Sequence, residues 1–106
     1  MILSGGLNVY PRDIEEIFYE NPKIQEAAAI GIPHPSRGES IKVFVALKEG
    51  ETATQEELIG YCKDKMAKFK LPTEIEFRIE LPKTNVGKIL KKDLRAEEMG
   101  KQRKTE

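Results

Sequence analysis

Within Leu81-Pro82-Lys83-Thr84-Asn85-Val86-Gly87-Lys88-Ile89-Leu90, the pair Gly87-Lys88 has the clearest chemical potential in the chain. A glycine adopts backbone conformations closed to other residues and lets the chain approach a ligand closely. A lysine displayed directly after it is a compact positive charge on a flexible stem, suited to a phosphate or carboxylate in another body. The run is not a Walker A loop, because Pro82 stands where the first glycine belongs and Ile89 replaces the Ser or Thr. Ser4-Gly5-Gly6 is a second small-residue cluster, and taken alone it reads as a hairpin turn. His34 is the only histidine; with no nearby Cys or second His it has no metal-ligand spacing and reads as a solvated loop residue. Cys62, the only cysteine, falls on the apolar side of a predicted helix and reads as a small buried side chain rather than a nucleophile.

Composition narrows the function classes. The 106 residues suffice for one domain with one core. Lys+Arg and Asp+Glu balance at 18 each, so no global basic field points to nucleic acid. The basic cluster Lys88, Lys91, Lys92 and Arg95 is interrupted by Asp93, Glu97 and Glu98 and has no aromatic residue on which bases could stack. No apolar run reaches the length of a membrane span and no signal peptide is visible. A lone cysteine excludes an internal disulfide framework and fits a reducing cytoplasm.

The elements that must position these residues follow from periodicity. Ile2-Leu3-Ser4 is short and apolar. Pro11 suits the first turn of a helix. There Ile14, Ile17 and Phe18 recur at helical spacing, with Asp13, Glu15 and Glu16 expected to point outward. Asn21-Pro22 ends that helix, and Ile24 to Ile32 reads as a mostly buried strand. Pro33 to Gly38 is a loop, and Ile41, Val43 and Val45 alternate with Lys42, Phe44 and Ala46 as a strand. Thr54-Gln55-Glu56-Glu57 is a capping box, with Glu57 expected to reach back to Thr54. It opens a helix carrying Leu58, Cys62 and Met66. Ile75 to Ile79 is a third alternating run, and Ile89 to about Met99 a short terminal helix. The predicted fold is α+β, a small and largely antiparallel sheet with packed helices, over residues 1–100, with 101–106 as a flexible tail.

Two segments, read together, resemble the opening and closing signatures of the C-terminal domain of adenylate-forming (AMP-binding) enzymes: Leu3-Ser4-Gly5-Gly6-Leu7-Asn8-Val9-Tyr10-Pro11-Arg12-Asp13-Ile14-Glu15-Glu16 and the Gly87-Lys88 run. Between them stand, in family order, Asn21-Pro22, Ile24-Gln25-Glu26-Ala27, Ile30-Gly31-Ile32-Pro33, Gly38-Glu39 and Phe69-Lys70-Leu71-Pro72. Within that superfamily the chain is most similar to long-chain fatty acid–CoA ligases, on Asn8-Val9-Tyr10-Pro11, Glu76-Phe77-Arg78 and Gly87-Lys88-Ile89-Leu90.

The resemblance implies a two-step ligase. A fatty-acid carboxylate attacks ATP to give an acyl-adenylate, and the thiol of coenzyme A then displaces AMP. It implies that Lys88 is the catalytic lysine of the first step, and that Ser4, Gly5, Gly6 and Gly87 are binding residues, the first three lining the path of the coenzyme A arm. ATP and coenzyme A are then co-substrates. Mg2+ accompanies ATP without being held by this domain. The implied partner is the N-terminal adenylation domain of the same enzyme, which keeps the phosphate loop, adenine pocket and acyl tunnel that this chain lacks. The expected object is therefore a catalytic lid, inactive alone and located in the cytoplasm. Other readings stay open at this point: the same domain from an aryl or short- to medium-chain acyl-CoA ligase, one from a carrier-protein adenylation enzyme, or a non-catalytic binding module with this fold.

Overall fold

The computed structural model describes residues 2–4, 6–34 and 38–104, without the side chains of His34, Phe69 and residues 101–104. In chain order the elements are β1 (Ile2–Ser4), β2 (Leu7–Val9), α1 (Pro11–Tyr19), β3 (Ile24–His34), β4 (Gly38–Leu47), α2 (Gln55–Lys63), β5 (Glu74–Arg78) and α3 (Lys91–Lys104), with a single 3-10 turn at Lys68–Lys70.

β4 is the strand on which the sheet is built. Along one side it pairs antiparallel with β3, from Ile24↔Leu47 to His34↔Gly38. Its other side carries two neighbours at opposite ends: β1, antiparallel at Ser4↔Gly38, and β5, parallel from Lys42↔Glu74 to Ala46↔Arg78. A parallel neighbour requires a crossover, and the connection containing α2 supplies it. The observed sheet is thus largely antiparallel with one parallel pair.

Both faces of β4 are covered, which explains why Ile41 to Ala46 is apolar at every position but Lys42. On one face Ala27, Ala29, Ile41, Val43, Val45 and Ile75 pack with Ile14 and Phe18 of α1 and with Leu58 and Cys62 of α2, joined by Ile2 and Val9. On the other, Ala28, Ile30 and Phe44 pack with Leu81 and with Leu94 of α3.

The outer edge of β3 is closed by side chains of α1. The Tyr19 hydroxyl accepts from the Ala27 N–H at 3.1 Å and lies 3.4 Å from the Ala27 carbonyl oxygen as donor. Glu15 Oε2 accepts from the Ala29 N–H at 2.9 Å. Glu15 is therefore not outward-facing as its charge suggested: the unpaired amide of an edge strand is a stronger partner than bulk solvent is for a carboxylate at this site. Gln55 does the same for β5, its Oε1 accepting from the Ile75 N–H.

Three further expectations change. Thr54 caps α2 through its Oγ1, which accepts from the Glu57 N–H, but the Glu57 carboxylate turns to Lys23 Nζ at 2.9 Å instead of reaching back. α2 ends at Lys63, before Met66, although Met66 still packs against the larger core. α3 runs from Lys91 to Lys104 and not from Ile89 to about Met99. Thr105 and Glu106 lie outside the described residues.

Candidate functional site

Lys88 sits on a closed turn rather than a slack loop. Lys83 and Ile89 form an antiparallel bridge, and the Leu90 N–H donates to the Pro82 carbonyl at 2.8 Å. Inside that bridge the Thr84 N–H donates to the Lys88 carbonyl at 2.8 Å, and the Gly87 N–H to the Thr84 carbonyl at 2.9 Å. The Thr84 hydroxyl adds a bond from the Lys88 N–H at 3.1 Å. Gly87 has φ +85, the left-handed region where a side chain is strained, and nothing within 4 Å of where a Cβ would stand. The turn thus needs its glycine for backbone conformation, and its outer side is open. Val86 at the apex is 89% exposed.

The lysines around this turn differ in their partners. Lys83 Nζ lies 2.7 Å from Glu26 Oε2 on β3, and that hydrogen bond raises the Lys83 pKa. Lys91 Nζ lies 2.5 Å from Glu15 Oε2 on α1. Lys88, between them, is exposed and has no carboxylate partner among the described residues. Chemically the turn offers one free ammonium at the end of a braced support.

The glycine cluster lies elsewhere. β1 and β2 form a hairpin with Ser4↔Leu7, Leu3↔Asn8 and Ile2↔Val9 in register, and Gly6 lies in its turn. Gly5 lies outside the described residues. Gly6 has φ +81 and open space around it, whereas Ser4 is buried and shares a strand face with Ile2. Leu3, Leu7 and Tyr10 are exposed apolar residues around the turn. The hairpin is tied down by Glu39, whose Oε1 accepts from the Leu3 N–H at 2.9 Å. The Glu39 carboxylate lies over Gly31, where a Cβ would stand only 2.5 Å from Oε2.

The structure does not gather the expected site residues into one pocket. The Lys88 turn is rooted through Leu81 and Ile89 in the smaller core, and the glycine hairpin through Ile2 and Val9 in the larger one. The sheet separates the two. A shallow depression of about 370 Å³ between Leu47, Lys48, Glu51, Phe77, Arg78 and Ile79 contains none of the expected residues. Among the described residues no group of three or more His, Cys, Asp or Glu is placed to hold a metal ion, and no helix is long and apolar enough to cross a membrane.

Sequence reasoning missed a buried charge cluster. Lys42 Nζ lies 3.0 Å from both Glu74 and Glu76 and makes a short contact with Glu98 of α3. Burial works against its charge, but hydrogen bonds to Glu98, Glu76 and Glu74 outweigh that and hold the pKa above the ordinary lysine value. Arg78 completes the cluster, 2.6 Å from Glu76 and 3.0 Å from Glu97. The only local signal was a lysine at the centre of an apolar run. Cys62 is buried as expected; burial first, and Glu20 second, push its thiol up to about 11.

The braced lysine turn, the glycine hairpin and the small α+β fold define a domain class, and the comparisons supply the family. The chain belongs to the AMP-binding enzyme C-terminal domain family, whose family model matches residues 13–88. It is 51% identical over 104 residues to the long-chain-fatty-acid–CoA ligase of Haemophilus influenzae, a match covering 98% of this chain and 18% of that protein. It is 48% identical over 95 residues to the crotonobetaine/carnitine–CoA ligase of Citrobacter koseri, covering 90% of this chain and 18% of that protein. Among solved structures it superposes on the acyl-CoA synthetase of Brucella canis with a TM-score of 0.89 and 39% identity, over 95% of this chain and 19% of that one.

Proposed function

We propose that this chain is the mobile C-terminal domain of an AMP-forming acid–CoA ligase acting on long-chain fatty acids. The carrying observation is the free Lys88 ammonium on its braced turn, in a chain 51% identical to a long-chain-fatty-acid–CoA ligase. In the first half-reaction a carboxylate oxygen bonds to the α-phosphorus of ATP while the bond to pyrophosphate breaks. Two anions must approach, and negative charge gathers on the oxygens around phosphorus. The Lys88 ammonium would touch both groups and offset that repulsion where water is excluded. It acts as a charge and not as a base, so no proton moves through it.

In the second half-reaction the coenzyme A thiol attacks the acyl carbonyl and AMP leaves. The Ser4-Gly5-Gly6 hairpin would line the path of the thiol arm, where bare backbone lets a narrow chain pass. Ser4 is buried, so its part is to shape the turn, and Gly6 presents the open surface. Gly87 serves by holding the Lys88 turn. ATP, its Mg2+ and the fatty acid would sit in the N-terminal adenylation domain, with the reaction in the cytoplasm where ATP and coenzyme A are supplied.

The similarity to a crotonobetaine/carnitine–CoA ligase favours a second reading, in which the same two steps run on a different acid. Measuring each half-reaction in the full-length protein tests the common mechanism. Lys88→Ala should lower ATP–pyrophosphate exchange by about a hundredfold or more, roughly 3 kcal/mol of transition-state stabilisation. Conversion of supplied acyl-adenylate to acyl-CoA should continue at a near-normal rate. Equal slowing of both steps would overturn the assignment.

A further inference from the structure

Both legs of the Lys88 turn end in an ion pair to the same border of the sheet. Lys83, on the leg entering the turn, meets Glu26 of β3; Lys91, just past the leg leaving it, meets Glu15 of α1. The two carboxylates are only 14% and 15% exposed, while each lysine is about one third exposed. Shielding from water strengthens such pairs relative to ordinary surface ones. Glu15 is also fixed by its bond from the Ala29 N–H, so it cannot follow Lys91 if the chain shifts. The turn itself, by contrast, has no packing on its outer side at Gly87 and an almost fully exposed Val86. Its internal hydrogen bonds fix its shape, and Leu81 and Ile89 root its base in the smaller core, which leaves the aim of its tip to the two ion pairs.

We infer that Glu15 and Glu26 are positioning residues for Lys88: through Lys91 and Lys83 they aim the turn that carries it. The inference rests on the proposed role of Lys88 in adenylation. An ammonium that must touch carboxylate and phosphate oxygens together tolerates little displacement, since a misplacement of about 1 Å costs on the order of a hundredfold. Breaking the pairs lets the turn swing, and the fraction of domains with Lys88 in line falls. kcat of adenylation then drops with little change in the KM for ATP.

The test uses the full-length protein carrying Lys83→Gln and Lys91→Gln, singly and together. The double variant should lose about tenfold or more in ATP–pyrophosphate exchange, keep its rate of thioester formation from supplied acyl-adenylate, and melt close to the parent. The exchanged pair Lys83→Glu with Glu26→Lys should recover much of the loss caused by Lys83→Glu alone. In a Lys88→Ala background the two glutamine substitutions should add nothing, because residues acting through one group are not additive. Unchanged exchange in the double variant, parallel loss of both half-reactions, or a full additional loss on top of Lys88→Ala would each overturn the inference. Lys88→Ala measured alongside separates the two readings. If it too leaves exchange intact, the role of Lys88 fails; if it alone lowers exchange, only the positioning fails.

Discussion

Lys42 and Glu98 meet inside the protein, joining the central strand to the last helix, with side chains 2% and 8% exposed. Removing the cation breaks a buried ion pair, which costs about 3–5 kcal/mol in comparable cases. Lys42→Met should therefore destabilise the domain by that order in denaturant unfolding. Lys42→Met with Glu98→Leu should regain part of the loss, since apolar replacements of a buried pair are often tolerated. A loss below about 1 kcal/mol for the single variant would mean that the carboxylates find water or protons cheaply.

Cys62 makes stability fall at high pH. Its thiol ionises near 9 in an exposed chain and near 11 in the folded one. Below 9 the contribution is fully present; between 9 and 11 the unfolded state releases the proton first, so stability drops as pH rises. The full shift corresponds to roughly 3 kcal/mol. Unfolding measured from pH 8 to 11 should show this decline in the parent and a shallower one in Cys62→Ala. Iodoacetamide should label the folded thiol slowly at pH 8, and rapid labelling there would contradict its burial.

On the proposed mechanism, Gly6→Leu should separate the two half-reactions in the direction opposite to Lys88→Ala. The residue has φ +81 with open space around it, so a leucine strains the turn by about 1–2 kcal/mol and projects into the proposed thiol path. Thioester formation should fall by about tenfold or more while ATP–pyrophosphate exchange persists. Gly6→Ala carries the strain without the bulk. Equal damage from both variants would assign the effect to backbone conformation and not to occlusion.

Gly31→Ala probes the tie beneath the glycine hairpin. Its Cβ would stand 2.5 Å from Glu39 Oε2 and 3.0 Å from Ile2 Cγ2. The carboxylate can swing away, but then the Leu3 N–H loses its acceptor. The expected cost is about 1 kcal/mol, concentrated at β1 and β2. Faster amide exchange at Leu3, with the amides of β3 and β4 unchanged, would show it; uniform loosening of the sheet would not fit.

Periodicity made much of this fold legible. Ile14 and Phe18 announced α1, the alternation at Ile41–Ala46 announced β4, and Thr54 announced the start of α2. Met66 shows the limit of spacing: it packs on the core as its position implied, but from a turn beyond the helix, where its N–H still reaches the Cys62 carbonyl. The Lys88 turn was visible because glycine and lysine are adjacent. Its braces were not, because Glu26 and Glu15 lie far from Lys83 and Lys91 in sequence and meet them only after β3 and α1 are docked. Lys42 was opaque for the same reason, since its carboxylates come from β5 and α3.

The Tyr19 hydroxyl takes the Ala27 N–H and faces its carbonyl, as a neighbouring backbone would. One phenol thus impersonates a peptide group. A second copy that approached β3 in search of a template would find this stretch of border already answered, by Tyr19 and then by Glu15. Crowding the protein to high concentration therefore gives its sheets little means of recruiting one another along this stretch.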